Sequence, residues 1–154
     1  MSFDENPADV DPRSSALSEI SNTLVQLFKS QFGRGPTQAR SAWAGPDVLV
    51  CILEETLTPA ERNMVRMGEH QRLRDLRMFF QYATVPEFCE PVEQITGRKV
   101  RSFHSSIDTE VDGMCAETFI FYKSGEDGPS RHELAEAARD TGGTGVPPRL
   151  PSPH

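Results

Sequence analysis

The chain has 154 residues, a formal net charge of −7 and a hydrophobic fraction of 36%. The length suits one domain, and an acidic chain with no dense basic tract is a poor partner for nucleic acid. No run approaches the roughly 18 apolar residues of a membrane-spanning helix. Three cysteines without a CxxC pair predict buried thiols in place of disulfides or metal ligands.

Residues 1–13 hold Asp4, Glu5, Asp9 and Asp11 with two prolines, and are expected to form a disordered tail. This start is acidic and lacks the apolar stretch of a signal peptide, so a cytoplasmic location is expected. Asp11-Pro12 can cap and begin a helix. Leu17, Ile20, Leu24, Leu27 and Phe28 then share one helical face, and Gly33 with Pro36 ends the element. Gln38 to Trp43 reads as an irregular strand and Gly45-Pro46 as a turn. Asp47 to Glu54 is an apolar strand, expected to be buried on both faces.

Thr58-Pro59-Ala60-Glu61 is the strongest local signal. Thr58 and Glu61 can cap each other's backbone N–H, with Pro59 where no donor is needed. A short helix should follow, with Met64, Val65 and Met67 inward, ending near Gly68. A longer helical stretch from about Glu69 to Thr96 carries Leu73, Leu76, Phe80 and Ala83 on one stripe. Pro86 predicts a break near Thr84, with Thr84 or Val85 starting a second segment, and Pro91 a further bend. Gly97 caps the end. Lys99 to Ile107 alternates Arg101, Phe103, Ser105 and Ile107 against Val100, Ser102 and His104. Asp112-Gly113 turns the chain, and Cys115 to Lys123 returns with Phe119 and Phe121 on one face. Residues 124–154 read as a mostly disordered tail, in which Ser130 and Glu133 support a partly populated helix over 130–139.

Two hairpins separated by helices give an α+β domain over 14–123. It should be a two-layer fold with a four-stranded antiparallel sheet, in the order α-β-β-α-α-β-β, and helices packed on one face. The open face invites a second copy, hence a homodimer.

The landmarks Gly33-Arg34-Gly35-Pro36, Asp47-Val48-Leu49-Val50, Leu57-Thr58-Pro59-Ala60-Glu61, Ile95-Thr96-Gly97-Arg98-Lys99-Val100, Phe103-His104 and the Asp108 hairpin follow one another in order. In this arrangement the chain resembles the small bacterial domains called MpsC-like. That family is named for a sodium-translocating, membrane-potential-generating system, so the resemblance implies a link to ion or inorganic-carbon transport. It brings no established active site, and no catalytic residue is carried over from it. The prolines at 86 and 91 and the long tail after Lys123 depart from the family's pattern.

The candidate contacts are six arginines. Arg34, between two glycines, could meet an anion or satisfy the carbonyls at the end of the first helix. Arg62, Arg66, Arg72, Arg74 and Arg77 could dock an acidic partner, phosphate or bicarbonate, or form a solvated face balanced by Glu61, Glu69 and Asp75. A hydrolase using His104 needs a nucleophile and an acid, yet Ser105 points to the opposite side of the strand and no nucleophile elbow is present. Asp108, Glu110 and Asp112 lack the distal glutamate of a calcium loop. The leading expectation is therefore a non-catalytic, cofactor-free interaction module that self-associates and contacts a membrane transport complex without spanning the bilayer. The alternatives are a small-anion sensor and, more remotely, a hydrolase.

Overall fold

The computed structural model describes residues 12–141. Asp11 and the tail segments 1–11 and 142–154 lie outside them. The elements run α1 (Pro12–Phe32), β1 (Gln38–Trp43), β2 (Val48–Glu54), α2 (Pro59–Arg66), α3 (His70–Ala83), α4 (Val85–Thr96), β3 (Val100–Ile107), β4 (Cys115–Phe121) and α5 (Arg131–Asp140). The strands form one antiparallel sheet in the order β1-β2-β4-β3. The helices cover one face, as the order of hairpins and helices requires.

The core lies between that face and the helices. Ile20, Leu24 and Phe28 of α1 meet Leu49, Cys51 and Leu53 of β2, Phe119 and Phe121 of β4, and Val85, Phe88 and Val92 of α4. Its centre is a column of rings: Phe88 stacks on Phe103 at 5.7 Å, and Phe103 on Phe119 at 4.9 Å. β2 is buried on this side only. Val48, Val50 and Ile52 on its other face are half-buried, so the expectation of burial on both faces is corrected. An all-apolar strand was ambiguous because its sequence does not say which face is covered.

The long helical stretch divides at Thr84, as Pro86 predicts. Proline near the start of α4 needs no donor, and Pro91 is accommodated inside it. On β3 the simple alternation fails. The pairing shifts between Val100 and Ser102, so Val100 and Phe103 both enter the core while Ser102 and His104 face outward. One extra residue in a strand reverses the sense of alternation beyond it. At the chain's end, the Ser130–Glu133 capping box forms, and α5 packs on α4 as a complete helix, with His132 Nδ1 2.7 Å from Glu93 Oε2. Tertiary contact completes a helix that its polar composition left marginal.

The β3–β4 turn is fixed by Gly113, at φ 74°, whose carbonyl accepts from Thr56 Oγ1 at 2.6 Å. A Cβ at this position would lie 2.6 Å from Leu57 Cγ. Gly113→Ala combines left-handed strain with overpacking, and is expected to lower stability by about 2–4 kcal/mol. Urea unfolding checks this; a loss under about 1 kcal/mol would mean that the turn yields freely.

Candidate functional site: an arginine pocket over a buried ion pair

The Thr58 turn forms as its sequence dictates. Thr58 Oγ1 accepts from the Glu61 N–H at 3.2 Å, and Glu61 Oε1 accepts from the Thr58 N–H at 2.9 Å. This closure aims the Glu61 side chain inward, where only 4% of the residue is exposed. There it meets Arg77 of α3, whose Nε donates to Oε2 at 2.6 Å and whose Nη2 donates to Oε1 at 2.8 Å. Arg77 Nη2 also donates to the Thr56 carbonyl at 2.9 Å, and its guanidinium lies 4.4 Å from the centre of the Phe32 ring. Burial alone would raise the Glu61 pKa. Hydrogen bonds from Arg77 and from the Thr58 N–H outweigh it and hold the carboxyl below its ordinary value.

On the same helix α2 that carries Glu61, Arg62 and Arg66 line a pocket of about 350 Å³ with Arg34, Pro59 and Asn63. Arg34 does not serve the carbonyls of α1; it reaches across to the Leu57 carbonyl at 2.9 Å. Arg66 Nη1 donates to Asn63 Oδ1 at 2.8 Å. One helical turn separates Arg62 from Arg66, so both stand on the exposed side of α2. On their far side lies a second cleft of about 360 Å³ that holds Glu55 and Asp112, so acid borders the arginines there.

The six arginines singled out in the sequence thus divide into three groups. Arg34, Arg62 and Arg66 converge. Arg72 pairs with Glu69 at 3.3 Å, and Arg74 reaches Thr109 Oγ1 at 3.4 Å. Arg77 is interior, so Arg74 and Arg77 do not share a solvated face, and Glu61 balances Arg77 within the core and no surface charge. Met67 also differs from expectation. Met67 is 75% exposed and Met78 44%, because Leu73 and Arg77 take the inner side of α3 and Met67 follows the end of α2. Met78 stands with Leu76, Phe79 and Tyr82 in an apolar patch on α3.

His104 Nε2 lies 2.7 Å from Ser102 Oγ on the outer sheet face, while Ser105 turns inward to Glu117. Asp108 accepts from the Glu110 N–H and Asp112 from the Met114 N–H, as turn-closing carboxylates do. Cys51, Cys89 and Cys115 are buried free thiols. Burial pushes both Cys89 and Cys115 up to about 12, which keeps them neutral. Sequence reasoning passed over Glu117, a fully buried acid. The signal was present: period two places it on the same face as Phe119 and Phe121.

The family model described as Na+-translocating membrane potential-generating system (MpsC) matches residues 13–123. The chain belongs to this family. No curated protein and no solved structure shows a significant match. The match to the MpsC family begins in α1 and ends just past β4, so it takes in the arginine pocket, the buried ion pair and the whole sheet. α5 falls outside it. Among the described residues, no helix is long and apolar enough to cross a membrane.

Proposed function

We propose that this MpsC-family chain is a non-catalytic accessory module. It works in the cytoplasm as a homodimer beside a membrane ion-translocating system. Family membership supplies the link to a membrane-potential system. The observation that carries the interaction role is the uncovered sheet face. Val48, Val50 and Ile52 of β2 stand beside Ala116, Thr118 and Ile120 of β4, paired residue by residue and only half-buried. Arg40 and Glu54, 2.8 Å apart, form a charged rim at the β1 edge. An apolar centre with a polar rim is the arrangement of a protein interface, and a second copy can present the same patch about a two-fold axis. Val50→Glu should convert the dimer to a folded monomer in light scattering with circular dichroism unchanged. A wild-type chain that is monomeric at high micromolar concentration removes the dimer from this reading. Gentle co-purification that recovers no membrane transport component removes the partner.

A second reading is supported by the convergence of Arg34, Arg62 and Arg66 on one pocket: the module binds a small anion such as bicarbonate or phosphate. An anion at 100 times its Kd would add about 2.7 kcal/mol of stability. Thermal unfolding with bicarbonate, phosphate and chloride at matched ionic strength measures this. The expected result is a rise in Tm with one of the first two, lost in Arg62→Ala and kept in Arg72→Ala. A shift no larger than that of chloride rejects the anion.

A further inference from the structure

The inner face of the sheet is apolar except along one line. Ser41, Cys51, Glu117 and Ser105 occupy mutually paired positions on β1, β2, β4 and β3, so they form a row across all four strands. Ser21 of α1 extends the row, its hydroxyl 2.7 Å from that of Ser41. Glu117 sits near the middle and is 1% exposed. Its Oε1 accepts from Ser105 Oγ at 2.8 Å, and its Oε2 has no hydrogen-bond partner among the described residues. A cavity of about 20 Å³ adjoins it, lined by Phe28, Phe32, Phe88, Phe103 and Arg77 among others.

That volume admits about one water molecule. A metal cation would meet the Arg77 guanidinium, and an anion would meet Glu117. The occupant that suits both is a proton on Glu117. Among the described residues, the groups facing this carboxyl are few. Arg77 comes from α3, Cys51 from β2, Cys89 from α4 and Cys115 from its own strand. α1 contributes Phe28, Gln31 and Phe32, which carry no charge. α2 reaches the cavity only through Glu61 and its grip on Arg77. The thiols stay neutral, so Arg77 is the charge that Glu117 faces, and it stands between two carboxyls.

We propose that Glu117 and Arg77 form a proton switch in the core: protonated Glu117 leaves Arg77 to Glu61, and loss of that proton to bulk solvent draws the guanidinium towards Glu117 and loosens α2. Because α2 carries Arg62 and Arg66, the arginine pocket is the part of the surface that this change reaches. Burial pushes Glu117 up to about 8, against the opposing effects of Ser105 and Arg77. The sign follows from where the proton is held. Folded Glu117 keeps it to higher pH than the unfolded chain does, so stability is full below the ordinary glutamate value of 4.5 and falls as pH rises towards about 8. Within that window the unfolding constant grows by up to about tenfold per pH unit, and it levels off above.

The experiment is urea unfolding at intervals across this range, paired with amide hydrogen exchange of residues 59–66 corrected for intrinsic rates, on the wild type and on Glu117→Gln. The wild type should lose stability as pH rises, and its α2 amides should lose about tenfold of their protection near the Glu117 transition. Glu117→Gln should remove most of both effects. An unchanged pH slope in the variant, or α2 protection that does not move in the wild type, overturns the switch. If Glu117→Gln fails to fold, the wild-type carboxyl carbon resonance of Glu117 decides the matter. A titration near 8 that also shifts the Arg77 Nε signal upholds the proposal. A carboxyl already ionised in mild acid, or an Arg77 signal that stays still, overturns it.

Discussion

Arg77→Ala is expected to lower stability by about 3–5 kcal/mol, as breaking a buried ion pair does when one partner is left behind. The residue holds both oxygens of Glu61, the Thr56 carbonyl and the Phe32 ring at once. Its removal strands a carboxylate and a carbonyl in the interior. The effect depends on pH in a stated direction. Glu61 is held below its ordinary pKa, so its contribution is present above 4.5 and is lost as pH falls through the folded value. The gap between wild type and variant should therefore narrow in acid. Replacing both partners, Arg77→Met with Glu61→Gln, keeps the Thr58 cap and leaves no buried charge, and should recover much of the loss. Urea unfolding of the three chains measures all of this. A single-variant loss below about 1 kcal/mol, or a double variant worse than the single, would show that the pair is not the anchor of α2 on α3.

Phe119→Ala is expected to cost a comparable amount, about 3–5 kcal/mol. Phe119 is wholly buried on β4, the strand that pairs with both β2 and β3. Its ring stacks on Phe103, and its pairing partners are Leu49 and Phe103. Truncation leaves a hole that strands fixed on both sides cannot close. Phe119→Leu refills most of the volume and should cost less than about 1.5 kcal/mol. Equal losses in the two variants would show that the deficit lies in strand pairing and not in packing.

Much of the fold was legible because its signals are local. The Thr58 cap needs four consecutive residues, and the break at Thr84 needs only Pro86 and the residue before it. The strands around Asp112-Gly113 follow from their turn. Irregular positions were less readable. A single extra residue on β3 reversed the alternation around Val100, and nothing within that strand announces it. The candidate site was legible as a list of arginines and not as a place. Helical spacing puts Arg62 beside Arg66, and both are exposed, but the same kind of spacing says nothing of Arg77, which is buried while Arg74, one turn away, is exposed.

Short-range signals were enough for the elements, for the antiparallel sheet with helices on one face and for the family, because periodicity, caps and turns act over a few residues. Which charges are interior was set by contacts distant in the chain. Glu61, Arg77 and Glu117 lie far apart in sequence, and their burial depends on which strands and helices close over them. The same long-range packing brings Arg34 to α2 and leaves one face of the sheet open. Desolvation belongs to the assembled core: period two places Glu117 on the inner face of its strand, but only the helices packed over that face take it out of water.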